Sequence, residues 1–310
     1  MPASQTLTLN GPVSGAGAFT KNGAGTLALT NANTFSGGVT LNAGTLTIPD
    51  AGILGSGPLT LAGGTASITS GGALTLATPV NVQANTTLDL GANTLTSSGL
   101  LRWTADGLLT RQGSGEWRIS GTADANGSNR QLNFRQGVTR LLSGASVSLR
   151  GGSRDVLQTT YSANGQTSSL VIEPGARLDA GGIRLMTGGS VGTSTVHVAG
   201  GTLNLLDAEC TIVNVTGGRG DILVTDSGPL YAATAGFFSL GVNGLGTLTV
   251  TDGTASLGRL TVGGYADSVG TGPRRGTAQI TVGTGGTLEI RDYPTWSPHP
   301  QNPPPCIPPP

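Results

Sequence analysis

The chain has 310 residues, of which 53 are glycine, 10% are charged and 4% are aromatic, and its formal net charge is zero. A balanced charge gives no support to a bulk polyanion-binding function, and no phosphate loop, dinucleotide fingerprint or basic-aromatic nucleic-acid motif is present in the sequence. The low charge content argues against simple disorder, and the shortage of aromatic rings argues against a conventional globular core. The composition favours an extended fold with a thin core of Leu, Val and Ile.

Short glycine-flanked segments with alternating apolar and small polar residues recur along the chain. In chain order they cover residues 6–11, 25–30, 38–48, 57–68, 72–77, 86–96, 169–185, 194–206, 220–228, 246–264 and 276–290. A period of two predicts strands with one buried and one solvent-exposed face, so Leu46 and Ile48 should face the core and Thr45 and Thr47 the solvent. Strands this short are unstable alone, and their recurrence predicts coils stacked on one another.

The sequence therefore predicts an all-β fold, a parallel β-helix (β-solenoid), over residues 1–292. Helix signals are nearly absent, and the best stretch, residues 156–166, is interrupted by Asn164-Gly165. Residues 100–160 contain Trp103, Trp117 and clustered arginines but keep the period of two, so we interpret them as further coils with larger side chains. In residues 293–310 proline favours a disordered or extended linker, a proline-rich C-terminal tail.

Two groups of charged residues are candidate binding or catalytic sites. Arg140, Arg150 and Arg154 belong to an arginine-rich stretch, and guanidinium groups suit the carboxylates or phosphates of acidic ligands. Asp207 and Glu209 are two residues apart, so on one strand face they would form a carboxylate pair of the kind that β-helical lyases and hydrolases use. The alternatives are a solvated arginine rim and a solvated strand end.

Other single motifs predict little chemistry. Arg219-Gly220-Asp221 would be an integrin-type ligand if a loop displayed it, but Asp221 adjoins an apparent strand. His197 alternates with buried-type valines, which predicts a solvent-facing strand position, and no G-x-S-x-G elbow accompanies it. The two cysteines, Cys210 and Cys306, lack a metal-ligand spacing, so we predict no metal site and no cofactor.

Threonine pairs of the form Thr-x-Thr occur at residues 6/8, 45/47, 94/96 and 247/249. In the sequence they are widely and irregularly spaced. We interpret them as the ordinary preference of threonine for a half-exposed pleated surface, with an ice-binding array as the alternative.

Residues 23–48, "GAGTLALTNANTFSGGVTLNAGTLTI", resemble the autotransporter-associated β-strand repeat of bacterial surface proteins. The features that match are the glycine-opened strand at residues 23–27, the segment Asn33-Thr34-Phe35-Ser36-Gly37-Gly38, and the strands at residues 39–41 and 44–48. Residues 239–290 are similar to the looser glycine-rich repeats of the same passenger regions. The resemblance implies a right-handed β-helical stalk that is exported and is followed by an outer-membrane β-barrel translocator.

The expected role is that of a non-catalytic structural passenger for display or adhesion at the surface of a Gram-negative bacterium or outside it. Host surfaces or glycans and the translocator are the expected partners, with no nucleic acid and no membrane insertion by this segment. The first 19 residues show no secretory signal, so we expect the chain to be part of a longer protein. A β-helical polysaccharide-degrading enzyme is the alternative.

Overall fold

The computed structural model describes residues 2–291 apart from residue 4 and residues 126–129, 151–155, 160–164, 186–190, 207–209, 214–215, 233–236 and 264–275. In this part of the chain, strands β1 to β33 form three sheets in which every pair of neighbours is parallel, and a single 3-10 turn of helix covers Ala51–Leu54. The predicted all-β parallel β-helix is therefore confirmed. The proline-rich tail lies outside the described residues.

The strands of each sheet come from successive coils. The first sheet contains β1 (Thr6–Leu9), β3 (Thr26–Leu29), β5 (Thr45–Ile48), β7 (Thr65–Ile68), β10 (Thr86–Asp89), β13 (Gly107–Gln112), β16 (Arg130–Phe134), β19 (Val156–Thr159), β22 (Gly182–Leu185), β25 (Cys210–Ile212), β28 (Phe237–Leu240) and β31 (Arg259–Val262). The second contains β8 (Ala73–Leu76), β11 (Thr94–Ser97), β14 (Glu116–Ile119), β17 (Gly137–Leu141), β20 (Thr167–Ile172), β23 (Thr193–Ala199), β26 (Arg219–Thr225), β29 (Leu245–Val250) and β32 (Thr277–Val282). The third contains β2 (Phe19–Lys21), β4 (Val39–Leu41), β6 (Leu59–Leu61), β9 (Val80–Val82), β12 (Leu101–Trp103), β15 (Thr122–Asp124), β18 (Ser146–Leu149), β21 (Arg177–Ala180), β24 (Thr202–Leu205), β27 (Pro229–Ala232), β30 (Thr254–Leu257) and β33 (Thr287–Ile290).

The core is a set of apolar columns that run from coil to coil. In β5, Leu46 and Ile48 are fully buried and Thr45 and Thr47 are half-buried, as the period of two predicted. The strand register of the third sheet places one inward residue of each coil beside the next. This column consists of Phe19, Val39, Leu59, Val80, Leu101, Ala123, Val147, Leu178, Leu203, Leu230, Ala255 and Leu288.

The first coils differ from the later ones because the second sheet begins only at β8. In those coils a turn segment takes the place of the missing strand, and Asn33 and Phe35 are buried there. The side chain of Asn33 accepts a hydrogen bond from the amide of Val13 (2.7 Å) and donates one to the carbonyl of Ile53 (2.7 Å). One asparagine thus joins three successive coils, and this explains its place in the motif Asn33–Gly38.

The tryptophan-containing region continues the same coils, as predicted. Trp103 and Trp117 are buried in the core, and each indole N–H is satisfied: Trp103 donates to the carbonyl of Gly107 at 3.2 Å and Trp117 to Oγ of Ser97 at 2.9 Å. Phe134 packs edge-on against Trp117, with 6.4 Å between ring centroids. The coils in this region are also longer in sequence, since the strand register pairs residues 22 or 23 positions apart here and 19 or 20 positions apart near the N-terminus.

The threonine pairs are closer in space than their sequence spacing suggested. The register of the first sheet places one threonine of each early coil in a single outward column: Thr6, Thr26, Thr45, Thr65, Thr87 and Thr110. The pairs at residues 6/8 and 45/47 therefore share one face, although they are far apart in the sequence. They do so because a coil of about 20 residues returns equivalent positions to the same face.

Two cationic side chains occupy positions in the apolar columns. Lys21 aligns with Leu41, and Arg111 lies between Leu88 and Phe134, yet Lys21 is only 2% exposed and Arg111 fully buried. Backbone carbonyls surround both charges. Nζ of Lys21 donates to Gly23 (2.6 Å) and Ala43 (2.8 Å), and the guanidinium of Arg111 donates to Gly113 (2.8 Å), Gly115 and Val138 (3.3 Å).

Candidate functional site

The outward face of the second sheet carries an ion-pair network that links three coils. Arg140 on β17 bridges Glu116 on β14 (2.9 Å) and Glu173 just after β20 (3.2 Å). Glu116 also accepts a hydrogen bond from Arg118 on its own strand, at 2.7 Å. The four side chains lie side by side because parallel strands in register bring outward residues of neighbouring coils together.

The network fixes the ionisation of its central carboxylate. Partial burial raises the pKa of Glu116, but the hydrogen bonds from Arg140 and Arg118 and their charges outweigh burial and leave the pKa below its ordinary value. The same pairing with Glu116 raises the pKa of Arg140. A carboxylate held ionised between two guanidinium groups is a poor general acid, since a general acid needs a raised pKa. The arrangement is structural.

A second cluster lies on the outward face of the third sheet around Asp179. Arg177 donates through Nε to both of its oxygens (3.0 and 3.1 Å), Asn204 donates from the next coil (2.6 Å), and Arg150 also contacts it. Burial raises the pKa of Asp179. The hydrogen bonds from Asn204 and Arg177 and the charge of Arg150 lower it by more than burial raises it, so the net shift is downward. Asp179 is therefore a fully partnered carboxylate.

The candidate arginines do not converge. Arg140 belongs to the second sheet and Arg150 follows β18 of the third sheet, and each is already bound to carboxylates. Arg154 lies outside the described residues, as do Asp207 and Glu209. Of the proposed basic patch, the structure thus shows two separate arginines in ion pairs.

The Arg219-Gly220-Asp221 tripeptide lies inside strand β26 and not on a loop. Arg219 donates through Nε to both oxygens of Asp221 (2.9 and 2.8 Å), and Thr247 of the next coil donates to the same carboxylate (2.6 Å). Asp221 is buried and Gly220 is covered by side chains of the core, including Val213. In this conformation Asp221 holds adjacent coils together and is not displayed for a receptor.

His197 faces outward between Val196 and Val198, as predicted, and is half-buried. Its Nε2 lies 2.8 Å from Oγ1 of Thr225, whose hydroxyl donates to Asp226 at 2.7 Å. Desolvation lowers the pKa of His197, Asp226 raises it and Arg140 lowers it, with a net decrease. The imidazole is therefore neutral at physiological pH. In this chain of contacts the acid binds the threonine and not the histidine, which is not the order of a Ser-His-Asp triad.

Tyr231 has an exposed aromatic side chain, at 39%. The guanidinium of Arg291 stacks on its ring, 4.2 Å from the centroid, and Arg291 is itself held by the carbonyls of Ala232 (3.0 Å) and Ser256 (3.3 Å). In the register of the third sheet Tyr231 lies beside Asn204 on one coil and Ser256 on the other. We call the outward column Asp179, Asn204, Tyr231, Ser256 and Glu289 the Tyr231 face.

Sequence reasoning missed the Tyr231 face and the two buried cations. Strand alternation could have indicated the two buried cations. Lys21 is two residues from Phe19 and Arg111 is two residues from Leu109, so each should share the inward face of its strand. No comparable pattern in the sequence indicated that Arg291 contacts Tyr231, since Arg291 is 60 residues away in the sequence (231 to 291) and two coils away in space.

Metal and membrane features are limited in the described ranges. Within them, no three His, Cys, Asp or Glu side chains gather where they could hold a metal ion. Cys210 is a buried thiol, and burial raises its pKa to about 12. The helical content of the same ranges includes no segment with the length and apolarity needed to cross a membrane.

Two parts of the chain are similar to known proteins. Residues 19–48 match the family described as the passenger-associated-transport-repeat. Over 66 residues the chain is 42% identical to the adhesin BmaC autotransporter of Brucella suis biovar 1 (strain 1330), which corresponds to 21% of this chain and 2% of that protein. The chain thus matches only a small part of that relative's length. No solved structure shows significant similarity to the chain.

The match begins and ends with structural elements. Phe19 opens β2 and Ile48 closes β5, so the repeat comprises strands of the third, first, third and first sheets in turn. It contains Asn33 and Phe35, the two residues that replace a second-sheet strand in the early coils. Residues 19–48 therefore match the passenger-associated-transport-repeat over four whole strands, and the chain that contains this match is a β-helical protein.

Proposed function

We propose that the chain is a non-catalytic structural segment of a passenger displayed on the surface of a Gram-negative bacterium, where it serves display or adhesion. The observation that carries the proposal is the passenger repeat at residues 19–48, built into an unbroken series of stacked coils. The similarity over 66 residues to a protein named as an autotransporter adhesin supports the adhesive role.

The state of the charged side chains also supports a structural role. Glu116, Asp179 and Asp221 each accept hydrogen bonds from at least one arginine and from side chains of adjacent coils. Carboxylates used in this way hold coils in register, and the lowered pKa values of Glu116 and Asp179 do not suit general acid catalysis. Acids engaged in this way fit display better than turnover of a polysaccharide.

The proposal is tested by displaying the chain. The full chain is placed between a secretory signal and an outer-membrane translocator in a Gram-negative host. We expect it to be accessible to protease on intact cells and to increase the binding of those cells to a host-cell layer. The matched control is the Leu46→Asp variant, which disrupts the buried column and should abolish the increase in cell binding while the chain stays accessible to protease.

Two outcomes would overturn the proposal. A displayed and folded chain that leaves cell binding unchanged would remove the adhesive role. Cleavage of acidic glycans by the purified chain, lost when Asp207 and Glu209 are both changed to Ala, would replace the structural role with that of a β-helical polysaccharide-degrading enzyme.

A further inference from the structure

We propose that the Tyr231 face binds neutral glycans. The inference rests on the proposed surface role and adds to it a place on the fold and a ligand class. It is carried by three features of the face: a fixed aromatic ring, hydrogen-bonding groups at the spacing of the coils, and arginines that are already engaged with a carboxylate, a ring and carbonyls.

The ring of Tyr231 is exposed and is held in place before any ligand arrives. Arg291 stacks on it at 4.2 Å and is tied to the carbonyls of Ala232 and Ser256, so the ring loses little freedom when a second group packs against it. An aromatic side chain with a polar hydroxyl offers an apolar surface and a hydrogen-bonding edge together. The C–H face of a pyranose ring has the complementary character.

Groups that recognise sugar hydroxyls flank the ring. Asn204 supplies an amide on one side and Ser256 a hydroxyl on the other, and Glu289 follows Ser256 with an exposed carboxylate that accepts from its Oγ at 2.7 Å. Successive positions are about 4.8 Å apart, the spacing of neighbouring strands, which is close to the length of one sugar ring. Asn204 donates one N–H to Asp179 and the Ser256 hydroxyl donates to Glu289. Toward sugar hydroxyls Asn204 can therefore donate its second N–H and accept through its oxygen, while Ser256 and Glu289 can accept.

The arginines of the face are already engaged. Arg177 and Arg150 both pair with Asp179, two coils from Tyr231, and the guanidinium of Arg291 is directed to the Tyr231 ring and two carbonyls. Recognition of a sialate or sulfate would need an arginine fork free to bind the anion. The exposed carboxylate of Glu289 would instead repel such a group, and hence a neutral glycan is the ligand that fits.

The test measures retention of the purified full chain on beads that carry neutral gluco-, galacto- or manno-oligosaccharides at high density, with sialylated and sulfated oligosaccharides on parallel beads. High density is needed because a shallow single-ring site gains most of its strength from multivalent contact. We expect retention on at least one neutral series and none on the acidic ones. Tyr231→Ala should reduce retention about tenfold or more, since aromatic anchors dominate such contacts, and Tyr231→Phe should keep most of it.

Controls separate binding from folding. Thr40→Ala lies in the same outward column of the third sheet, several coils away, and should leave retention unchanged. Circular dichroism of Tyr231→Ala should match the parent, and Asn204→Ala provides a second variant of the face should Tyr231→Ala fail to fold. The inference would be overturned by absence of retention on every neutral series, by retention on acidic beads alone, or by retention of Tyr231→Ala and Asn204→Ala equal to that of the parent. Cell adhesion by the parent chain without retention on any neutral series would leave the adhesive role standing while the glycan site falls.

Discussion

Gly137 closes over the guanidinium of Arg111: a β-carbon on Gly137 would lie 2.5 Å from Nη1 of Arg111 and 2.6 Å from the carbonyl oxygen of Gly115. The φ of Gly137 is also positive, at 75°, a conformation that glycine alone adopts without cost. Gly44 stands in the same relation to Lys21, because a β-carbon there would lie 2.6 Å from Nζ. Each buried cation is thus enclosed by carbonyls and by a glycine of the next coil.

Replacement of Gly137 should destabilise the fold by more than the strain of its positive φ alone would. We expect Gly137→Ala to lower the free energy of unfolding by roughly 1–3 kcal/mol beyond the strain of a positive φ, as overpacking does. The matched control is Gly144→Ala, whose φ is 83° but whose β-carbon would meet nothing within 4 Å. Urea denaturation compares the two variants. Equal denaturation midpoints for the two variants would contradict the prediction and would show that Arg111 moves to accommodate the added methyl group.

The buried guanidinium should be more important than an exposed one. Arg111→Ala removes the donor to the carbonyls of Gly113, Gly115 and Val138 and leaves a cavity, so we expect a loss of about 2–5 kcal/mol in the free energy of unfolding. Arg118→Ala, which breaks an exposed pair with Glu116, should cost less than about 1 kcal/mol. A small effect of Arg111→Ala would mean that water replaces the guanidinium among those carbonyls.

The asparagine that joins three coils offers a third comparison. Asn33→Ala leaves the amide of Val13 and the carbonyl of Ile53 without their partner, and each unsatisfied buried group costs about 1–3 kcal/mol. Asn42→Ala removes only an exposed side-chain contact with Asn22 and should change stability by less than about 0.5 kcal/mol. Hydrogen exchange of the Val13 amide, which donates to Asn33, would report the loss. Unchanged protection of that amide would contradict the role of Asn33.

The facing of the strands can be tested in the repeat itself. Leu46→Asp places a charge without a partner in a fully buried column and should unfold the early coils. Thr45→Asp, one residue earlier and half-buried on the outward side, should be tolerated. Melting followed by circular dichroism distinguishes the variants, and an unaltered melt of Leu46→Asp would mean that the side chains face the other way.

Acid should weaken the outward ion-pair networks. The folded-state pKa values of Glu116 and Asp179 lie below their ordinary values of 4.5 and 3.8, so both stabilise the fold above those ordinary values and lose that contribution as the pH falls through the lowered ones. Below pH 4.5 we expect the free energy of unfolding of the parent to decrease. In the variants Glu116→Gln and Asp179→Asn the free energy of unfolding should decrease less steeply with falling pH. Denaturation at a series of pH values measures the slopes. Identical slopes for parent and variants would assign the acid sensitivity to other groups.

The sequence was sufficient for those features that depend on a single strand. Alternation placed Leu46 and Ile48 inside and Thr45 outside, and it placed His197 between two buried valines. Strand parity does not depend on how coils stack, and for that reason these predictions succeeded.

Features that depend on contacts between coils were beyond the same reasoning. The partners of Arg140 are 24 and 33 residues away, and those of Asn33 are each 20 residues away. Such pairings require the length of each coil, which varies along the chain as loops grow. The absence of a second-sheet strand before β8 was hidden for a similar reason, since Asn33 and Phe35 replace that strand without alternation.

The hydrogen bonds between coils have a mechanical consequence. They point along the axis of the β-helix, so a pull on its ends loads them in tension, and coils should detach one after another from an end. Asn33 reinforces two successive junctions between coils, because it accepts from Val13 on one side and donates to Ile53 on the other. A force that separates either junction must break one of these side-chain hydrogen bonds in addition to those of the backbone, and residues 19–48 should therefore resist peeling more than their strands alone would.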